Sequence, residues 1–362
     1  MGARTRGLAN NVLSSGKLDA TDAISGTIAA DNIANASLDN ATTYGSVTGG
    51  VPAVASDPPS PAEGDIWYNT TTGALKFRTK ALGWATGGNL NTARTGISSA
   101  GIQTASLYIG GAPPVGGNLA NTESYDGTSW TEVNDLNTGR SGAGSNGTQT
   151  SALNYGGAEP NAGLGNTESW DGTSWTEVND LNTVRRSLGG AGASNTSALA
   201  FGGWSPPTIY ANTESWNGSS WTEVNDLNTA RRNLAGTGII TAALAFGGFG
   251  PGLTGITESW NGTSWTEVND LNTARESLGG AGTQTSALGF AGNTPGDSAL
   301  TESWDGTSWT EVADLSIARI NLGSTGASNT SALAFGGEVG GGGSQSTTEE
   351  WDFSVDTSFT VG

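Results

Sequence analysis

Carboxylates are the side chains of this sequence best suited to acid–base chemistry. Its 362 residues include 33 Asp and Glu but no histidine and no cysteine. Ser-His-Asp triads, Cys-His pairs and histidine-ligated metal sites are therefore excluded. The chemistry that remains is that of paired carboxylates, which in glycoside hydrolases cleave sugar chains.

Most of these carboxylates recur once in each copy of an internal repeat. One equivalent set is Glu168, Glu214, Glu258 and Glu302, and a second is Glu177, Glu223, Glu267 and Glu311. Because an active site is normally singular, the recurrence favours a structural role, in ion pairs with the repeated arginines or in turn caps.

Three acids do not recur and lie in segments that differ between copies: Glu159, Asp297 and Glu338. They could form a single catalytic pair, which would make the protein a glycan depolymerase. We keep this as an alternative and expect a protein that is not an enzyme, with no catalytic residue and no cofactor. A metal site is not expected either, because Asp-x-Asp-x-Asp-Gly loops are absent.

The repeat is clearest in one tryptophan, which returns at Trp130, Trp175, Trp221, Trp265 and Trp309, at intervals of 45, 46, 44 and 44 residues. The copy that begins at Arg185 contains four short apolar stretches, Ser187–Ser194, Ser197–Gly203, Asn212–Trp216 and Ser220–Val224. Each stretch is too short for a stable helix, and turn residues separate them. We therefore predict a four-stranded antiparallel meander.

Four strands per copy and a period in the forties are typical of a β-propeller, an all-β fold. A lone meander cannot bury both of its faces, so the copies must pack against one another. We expect glycine-rich stretches such as Leu188–Gly192 and Leu278–Gly282 to be the innermost strands, where space is smallest. Paired tryptophans such as Trp170 and Trp175 would fill the wider space between blades.

A glycine pair follows an apolar strand in five copies, at Gly110-Gly111, Gly156-Gly157, Gly202-Gly203, Gly247-Gly248 and Gly336-Gly337, with Ala291-Gly292 as the departure. An aromatic residue and then a tryptophan follow. This pattern resembles the kelch motif of kelch proteins and of the galactose-oxidase propeller. The resemblance covers roughly residues 88–361. Six arginines at the repeat starts and six glycine-pair strands predict six blades and not seven. The resemblance implies no single function, because kelch propellers include enzymes, adaptors and adhesins.

The N-terminal region is different material. Over residues 1–50, isolated aliphatic residues stand about five apart, which fits neither a helix nor a flat strand. We predict a fibrous attachment and oligomerisation segment there, the alternative being a disordered leader. A Pro-rich linker over residues 51–61 is expected to follow.

Residues 62–87 predict a β-hairpin ahead of the propeller, which is assigned to residues 88–362. The stretch from Pro61 to Phe77 resembles a hairpin of tailed-bacteriophage fibre and structural proteins. Trp84 has two interpretations: it belongs to the hairpin, or it closes the ring of blades against the last blade.

The copies differ most between their second and third strands. In an antiparallel blade these loops all emerge on one face, and variation confined to one face of a repetitive scaffold is typical of recognition. Trp204, Tyr210 and Phe249 are the candidates for stacking on a sugar ring. The alternative is that the loops have drifted and that these aromatic residues pack locally.

Together these features predict a bacteriophage virion protein, a tail fibre or adhesin exposed on the particle. Its N-terminal segment would dock on other virion proteins, and its propeller loops would bind a host-surface glycan or receptor. We expect a homo-oligomer, a trimer by analogy with phage fibres. A purely structural decoration of capsid or tail is the main alternative. The net charge of −19 argues against a nucleic-acid partner, and no apolar stretch is long enough to predict membrane insertion.

Overall fold

The computed structural model of the chain describes residues 51–58, 65–80, 83–96, 98–159, 162–340, 343–351 and 354–360. The fibrous segment expected over residues 1–50 lies outside these ranges. Two compact units divide the chain: Leu82–Asp352 forms one, and the described residues on either side of it belong to the other. All of the described elements are β-strands, so none is a helix long and apolar enough to cross a membrane.

The larger unit is a six-bladed β-propeller, as the repeat predicts. Its six sheets are four-stranded and antiparallel, and the first strand of each contacts the first strands of both neighbours, so the ring is closed. We number the blades 1 to 6 along the chain and their strands from the innermost outwards. The strands are Ser98–Ile102, Ala105–Ile109, Thr122–Tyr125 and Trp130–Val133 in blade 1; Gly144–Thr148, Ser151–Tyr155, Thr167–Trp170 and Trp175–Val178 in blade 2; Gly189–Ser194, Ser197–Phe201, Thr213–Trp216 and Trp221–Val224 in blade 3; Ala235–Ile239, Ala242–Phe246, Thr257–Trp260 and Trp265–Val268 in blade 4; Gly279–Thr283, Ser286–Phe290, Thr301–Trp304 and Trp309–Glu311 in blade 5; and Gly323–Ser328, Ser331–Phe335, Thr348–Trp351 and Trp84–Thr86 in blade 6.

Blade 6 takes its fourth strand from the N-terminal side of the repeats. Trp84–Thr86 pairs antiparallel with Thr348–Trp351, and Trp84 lies opposite Trp351. The two rings are 5.3 Å apart, the same separation as in the tryptophan pair of blade 5. Of the two interpretations of Trp84, ring closure is therefore correct, and the strand does not belong to the hairpin predicted over residues 62–87.

The hydrophobic core lies between adjacent blades. Between blades 3 and 4, Leu199 and Phe201 pack against Trp260 and Trp265, and the ring centroids of Phe201 and Trp265 are 4.9 Å apart. The Trp265 indole N–H also donates a hydrogen bond to Thr213 Oγ1 of blade 3, at 3.1 Å. Equivalent bonds join Trp84 to Thr301, Trp130 to Thr348, Trp175 to Thr122, Trp221 to Thr167 and Trp309 to Thr257. The tryptophans thus fill the space between blades, as predicted.

The glycine pair after each second strand fixes one blade to the next. The Gly203 N–H donates to the Arg231 carbonyl of the following blade at 2.9 Å, and all six blades make the equivalent bond. Gly202 has a φ of +64°, and a Cβ there would lie 2.6 Å from the same carbonyl. Ala291, the departure from the pair, nevertheless adopts a φ of +60°. The repeat therefore preserves a left-handed backbone conformation, for which glycine is the natural residue.

Each blade also buries one ion pair. In blade 4, Arg231 and Glu258 lie 3.1 Å apart and are both fully buried. The other pairs are Arg94–Glu123, Arg140–Glu168, Arg185–Glu214, Arg275–Glu302 and Arg319–Glu349. Burial lowers the pKa of Arg231 to about 10, which leaves the guanidinium charged at neutral pH. The first set of repeated glutamates is thus structural, as predicted.

The second set of repeated glutamates lies nearer the surface. Glu177 accepts a hydrogen bond from the side-chain amide of Asn166 at 3.0 Å, and Glu223 accepts one from Asn212 at 2.6 Å. Glu177 and Glu223 therefore pair with asparagines of their own blades, and none of the second set forms an ion pair with a repeated arginine within the described residues.

The smaller unit is a four-stranded sheet built on the predicted hairpin. Its strands, in spatial order, are Ala53–Val54, Ile66–Asn69, Ala74–Lys80 and Ser354–Thr360. The first pair is parallel and the other two pairs are antiparallel. Two elements differ from the expected boundaries: Ala53–Val54 is a strand within the expected linker, and Ser354–Thr360 joins this sheet although the propeller was expected to extend to residue 362.

Asp57 holds the expected linker against the hairpin. Its carboxylate accepts hydrogen bonds from Trp67 Nε1 and Asn69 Nδ2, at 2.9 and 2.8 Å, and lies 2.5 Å from Lys76 Nζ. Lys76 in the first place, then Asn69 and Trp67, lower the pKa of Asp57 to about 2. This carboxylate is therefore ionised throughout the physiological range.

Candidate functional site

The loops between the second and third strands lie on one face of the propeller, which we call the loop face. In an antiparallel blade they emerge at the same edge as the connections from one blade to the next. Backbone bridges join the two kinds of segment, for example Arg186 with Trp204 and Arg232 with Phe249. Three of the loops contain short hairpins, Ala158–Glu159 with Ala162–Gly163, Trp204–Ser205 with Thr208–Ile209, and Glu338–Val339 with Gly343–Ser344.

A closed ring of backbone hydrogen bonds supports the loop face. One residue in each blade, two places after the repeated arginine, donates its N–H to the carbonyl of the equivalent residue in the preceding blade, at 2.7 to 3.1 Å. The six residues are Gly96, Gly142, Ser187, Asn233, Ser277 and Asn321, with φ between 50° and 67°. Glycine and asparagine tolerate this conformation best, so the glycine, serine or asparagine found at this position in every blade is the sequence signal of the ring. The ring fixes the spacing of the connections that carry Arg186 and Arg232.

Two of the three predicted aromatic residues belong to one cluster. The guanidinium carbon of Arg186 lies 4.4 Å from the centre of the Trp204 ring, and that of Arg232 lies 4.6 Å from it. Arg232 is also 5.2 Å from the centre of the Phe249 ring. All four residues are half-buried. Arg232 thus connects Trp204 of blade 3 to Phe249 of blade 4, and we call these four residues the Arg–aromatic cluster.

Tyr210 is placed differently. It lies in the same loop as Trp204 and is half-buried, but its ring takes part in neither of these cation–π contacts. Its backbone N–H donates to the Gly203 carbonyl, and its own carbonyl accepts a hydrogen bond from the Arg231 N–H. The structure therefore gives Tyr210 a defined role in anchoring the loop and leaves its ring outside the cluster.

The two arginines of the cluster were missed by sequence reasoning. Each follows a repeated arginine directly, in the doublets Arg185-Arg186 and Arg231-Arg232. Blades 1, 2, 5 and 6 have unrelated residues at the equivalent position, Thr95, Ser141, Glu276 and Ile320. The signal was therefore the same as for the aromatic residues, a side chain that breaks the repeat.

The three carboxylates considered for catalysis come from different blades. Glu159 lies in the loop of blade 2, and Asp297 and Glu338 lie in those of blades 5 and 6. Asp297 Oδ2 accepts a hydrogen bond from the Gly340 N–H at 2.6 Å, so the loops of blades 5 and 6 touch. Blade 2 is adjacent to neither, so the three carboxylates are not brought together. In the part of the chain that the structure describes, no group of acidic side chains could hold a metal ion.

A cavity of about 140 Å³ is lined by the six first strands and is open to solvent. Its lining consists of glycine, alanine, serine, threonine and asparagine only. Adjacent first strands approach closely here. A Cβ on Gly236, for example, would lie 2.5 Å from the Gly190 carbonyl oxygen of the neighbouring blade. The cavity offers neutral hydrogen-bonding groups and no ionisable side chain, so it cannot support acid–base chemistry.

Comparison with known proteins adds no family to this description. No family model matches the chain, and no curated protein matches it significantly. The fold places the chain among the six-bladed β-propellers.

Proposed function

We propose that this chain is a virion-associated adhesin of a tailed bacteriophage whose loop face binds a glycan on the host surface. The resemblance of residues 61–77 to a hairpin of phage fibre proteins supports the virion assignment. In this proposal the N-terminal segment docks on other virion proteins, and the chains form a homo-oligomer, a trimer by analogy with phage fibres. Several weak sites on one particle would then add through avidity.

The observation that carries the proposal is the Arg–aromatic cluster. Trp204 and Phe249 belong to different blades, and Arg232 lies against both rings. Tryptophan and arginine are among the residues enriched in binding hot spots. Aromatic rings beside N–H donors suit a sugar, which has apolar C–H surface and polar hydroxyl groups. Its place on the rigid part of the loop face means that little ordering is needed on binding.

We infer binding and not cleavage, so the depolymerase alternative is not favoured. Retaining and inverting glycosidases both need two carboxyl groups that flank one bond, within about 5 to 10 Å of each other. Glu159 belongs to blade 2, away from the blades that carry Asp297 and Glu338. Asp297 already accepts a backbone hydrogen bond from Gly340. Glu159 therefore has neither of the other two carboxylates as a neighbour, and in the remaining pair Asp297 is engaged by the backbone of the adjacent loop.

The test is fluorescent labelling of a panel of bacterial strains with the purified full-length chain. We expect staining of at least one strain, and a loss of about tenfold or more when Trp204 and Phe249 are both changed to alanine. The matched control is the pair Ile102→Ala and Ile239→Ala, because both isoleucines are 45% exposed and lie at the opposite edge of the blades. Thermal unfolding would establish that both variants fold.

Staining that the loop-face variant retains in full would remove the proposed site. If no strain is stained, the result supports the alternative that the protein is a purely structural decoration of the capsid or tail. That alternative predicts that the loop face is covered in the assembled particle, and antibodies raised against the loop of residues 204–211 would then fail to label intact virions.

A further inference from the structure

We propose that Arg186, Trp204 and Arg232 form a binding site for an anionic sugar, a glycan unit that carries a carboxylate or phosphate group. This inference rests on the proposed function and names the class of glycan.

Few basic side chains occur in the propeller, and most of them have a counter-ion. The described residues between 83 and 351 contain eight basic side chains, the six repeated arginines and the two arginines of the cluster. Each repeated arginine is held by a buried glutamate, Arg185 and Arg231 included. Within this part of the chain, neither Arg186 nor Arg232 has a carboxylate partner. The two cations without a counter-ion therefore both contact the Trp204 ring on the loop face.

Arg186 and Arg232 are not part of the repeated pattern. The equivalent residues Thr95, Ser141, Glu276 and Ile320 share neither charge nor size, so the fold does not require arginine at this position. Glu276, the equivalent residue of the next blade, accepts a hydrogen bond from the Asn233 amide at 2.8 Å. It is engaged with that amide and does not form an ion pair with Arg232.

The guanidinium groups of Arg186 and Arg232 contact aromatic rings and, within the described residues, keep their N–H donors unused. A guanidinium stacked on an aromatic ring uses its π face, and its N–H groups remain in the plane of the fork. Neither Arg186 nor Arg232 donates a side-chain hydrogen bond to an acceptor in the described part of the chain. The contacts with Trp204 thus leave two guanidinium groups without a hydrogen-bond acceptor among these residues, and a guanidinium group matches the geometry of a carboxylate or phosphate. Because the stacking already restricts both side chains, less rotamer freedom is lost when an anion binds.

The aromatic rings of the cluster favour a sugar over an inorganic anion. An inorganic anion would need only the arginines, whereas the Trp204 and Phe249 rings add apolar surface beside them. In a chain with a net charge of −19 a bare anion is repelled at long range. A ligand that combines a charged group with a ring face uses both parts of the cluster.

The experiment measures binding of the full-length chain to three immobilised polysaccharides: alginate, which carries carboxylates, phosphomannan, which carries phosphates, and dextran, which is neutral. We expect at least one acidic polymer to bind about tenfold or more tightly than dextran. That affinity should fall as salt rises from about 0.05 to about 0.5 M. Alginate alone would identify a carboxylate site and phosphomannan alone a phosphate site.

Two variants separate this site from general electrostatics. Arg186→Gln with Arg232→Gln should lose about tenfold or more of the affinity for the acidic polymer. Thr95→Gln with Ser141→Gln, at the equivalent positions of blades 1 and 2, should bind as the unmodified chain does. If the double glutamine variant does not fold, the salt dependence of the unmodified chain carries the test.

Dextran binding as tight as acidic-polymer binding, with no response to salt or to the glutamine variant, would overturn the anionic-sugar site and leave glycan binding standing. Absence of binding to all three polymers, in a chain that stains no bacterial strain, would overturn the proposed function and this inference together.

Discussion

Each blade contains one arginine and one glutamate that are removed from water together. In blade 4, Arg231 donates hydrogen bonds to the carbonyls of Ala245 and Gly247, both at 3.3 Å, besides its contact with Glu258. Glu258 in turn accepts bonds from the backbone N–H and the side-chain amide of Asn228, at 2.7 and 2.8 Å. Removing two charges from water is unfavourable, and these extra bonds are what make the pair tolerable. The pair connects the third strand to the interblade connection, so neither partner is dispensable.

We therefore predict that Glu258→Gln destabilises the propeller by about 3 to 5 kcal/mol, because Arg231 would remain buried without its counter-charge. The matched control is Glu267→Gln in the same blade, where the glutamate is exposed. Its expected effect is within about 0.5 kcal/mol. Chemical denaturation of the two variants, followed by tryptophan fluorescence, compares them. Equal midpoints would show that the buried pair does not hold the blade together.

At the residue scale, the role of a side chain could be predicted mainly from whether it recurs in every copy of the repeat. The structural role of Glu258 followed from its recurrence, and Trp204 and Phe249 stood out because they do not recur. Arg186 and Arg232 break the repeat as well, but they are easily overlooked because each stands next to a repeated arginine. Their stacking on Trp204 depends on side chains from two blades, which no local sequence pattern records.

Among the elements, the strand Trp84–Thr86 closes the ring at the outer edge of blade 6. Trp84 contacts Phe290 at 4.8 Å between ring centroids and donates a hydrogen bond to Thr301 Oγ1 at 3.0 Å. These are the contacts that Trp309 makes one blade earlier, with Phe246 at 4.8 Å and Thr257 Oγ1 at 3.1 Å. A single strand from the N-terminal side thus supplies blade 6 with its outer tryptophan and joins the two ends of the repeat array.

We predict that Trp84→Ala destabilises the propeller by about 3 kcal/mol, since it removes a large aromatic side chain from the space between blades. Trp309→Ala, the equivalent change in blade 5, should have an effect of the same order. The measurement is the unfolding free energy of each variant. A Trp84→Ala variant as stable as the unmodified chain would contradict closure of the ring by this strand.

The elements were predictable as far as they are repeated. The alternation and turn residues of one copy gave four strands, and six copies gave six blades. The pairing partner of Trp84–Thr86 was not predictable, because it lies at the far end of the chain and nothing local specifies the register. The same holds for Ser354–Thr360, which pairs with Ala74–Lys80. Long-range pairing is the part of a β-fold that a single sequence encodes least directly.

At the scale of the propeller unit, stability and recognition use different parts of the repeat. Tryptophan–threonine bonds, glycine-pair bonds and the ring of backbone bonds through Ser187 and its equivalents each occur once per blade, so blades are fixed to both neighbours. The side chains that differ between blades are concentrated on the loop face. A surface of this kind can change its ligand without disturbing the core, which is how the proposed adhesin could follow a changing host glycan.

The most direct test of this account is hydrogen–deuterium exchange of the full-length chain, with and without surface polysaccharide from a strain that the chain stains. We predict that protection on binding is confined to the loop face, centred on residues 186–187, 204–211, 232–233 and 249–256. Protection of the turns at the opposite edge, around residues 103–104 and 240–241, or no protection in a chain that binds, would contradict the assignment of recognition to the loop face.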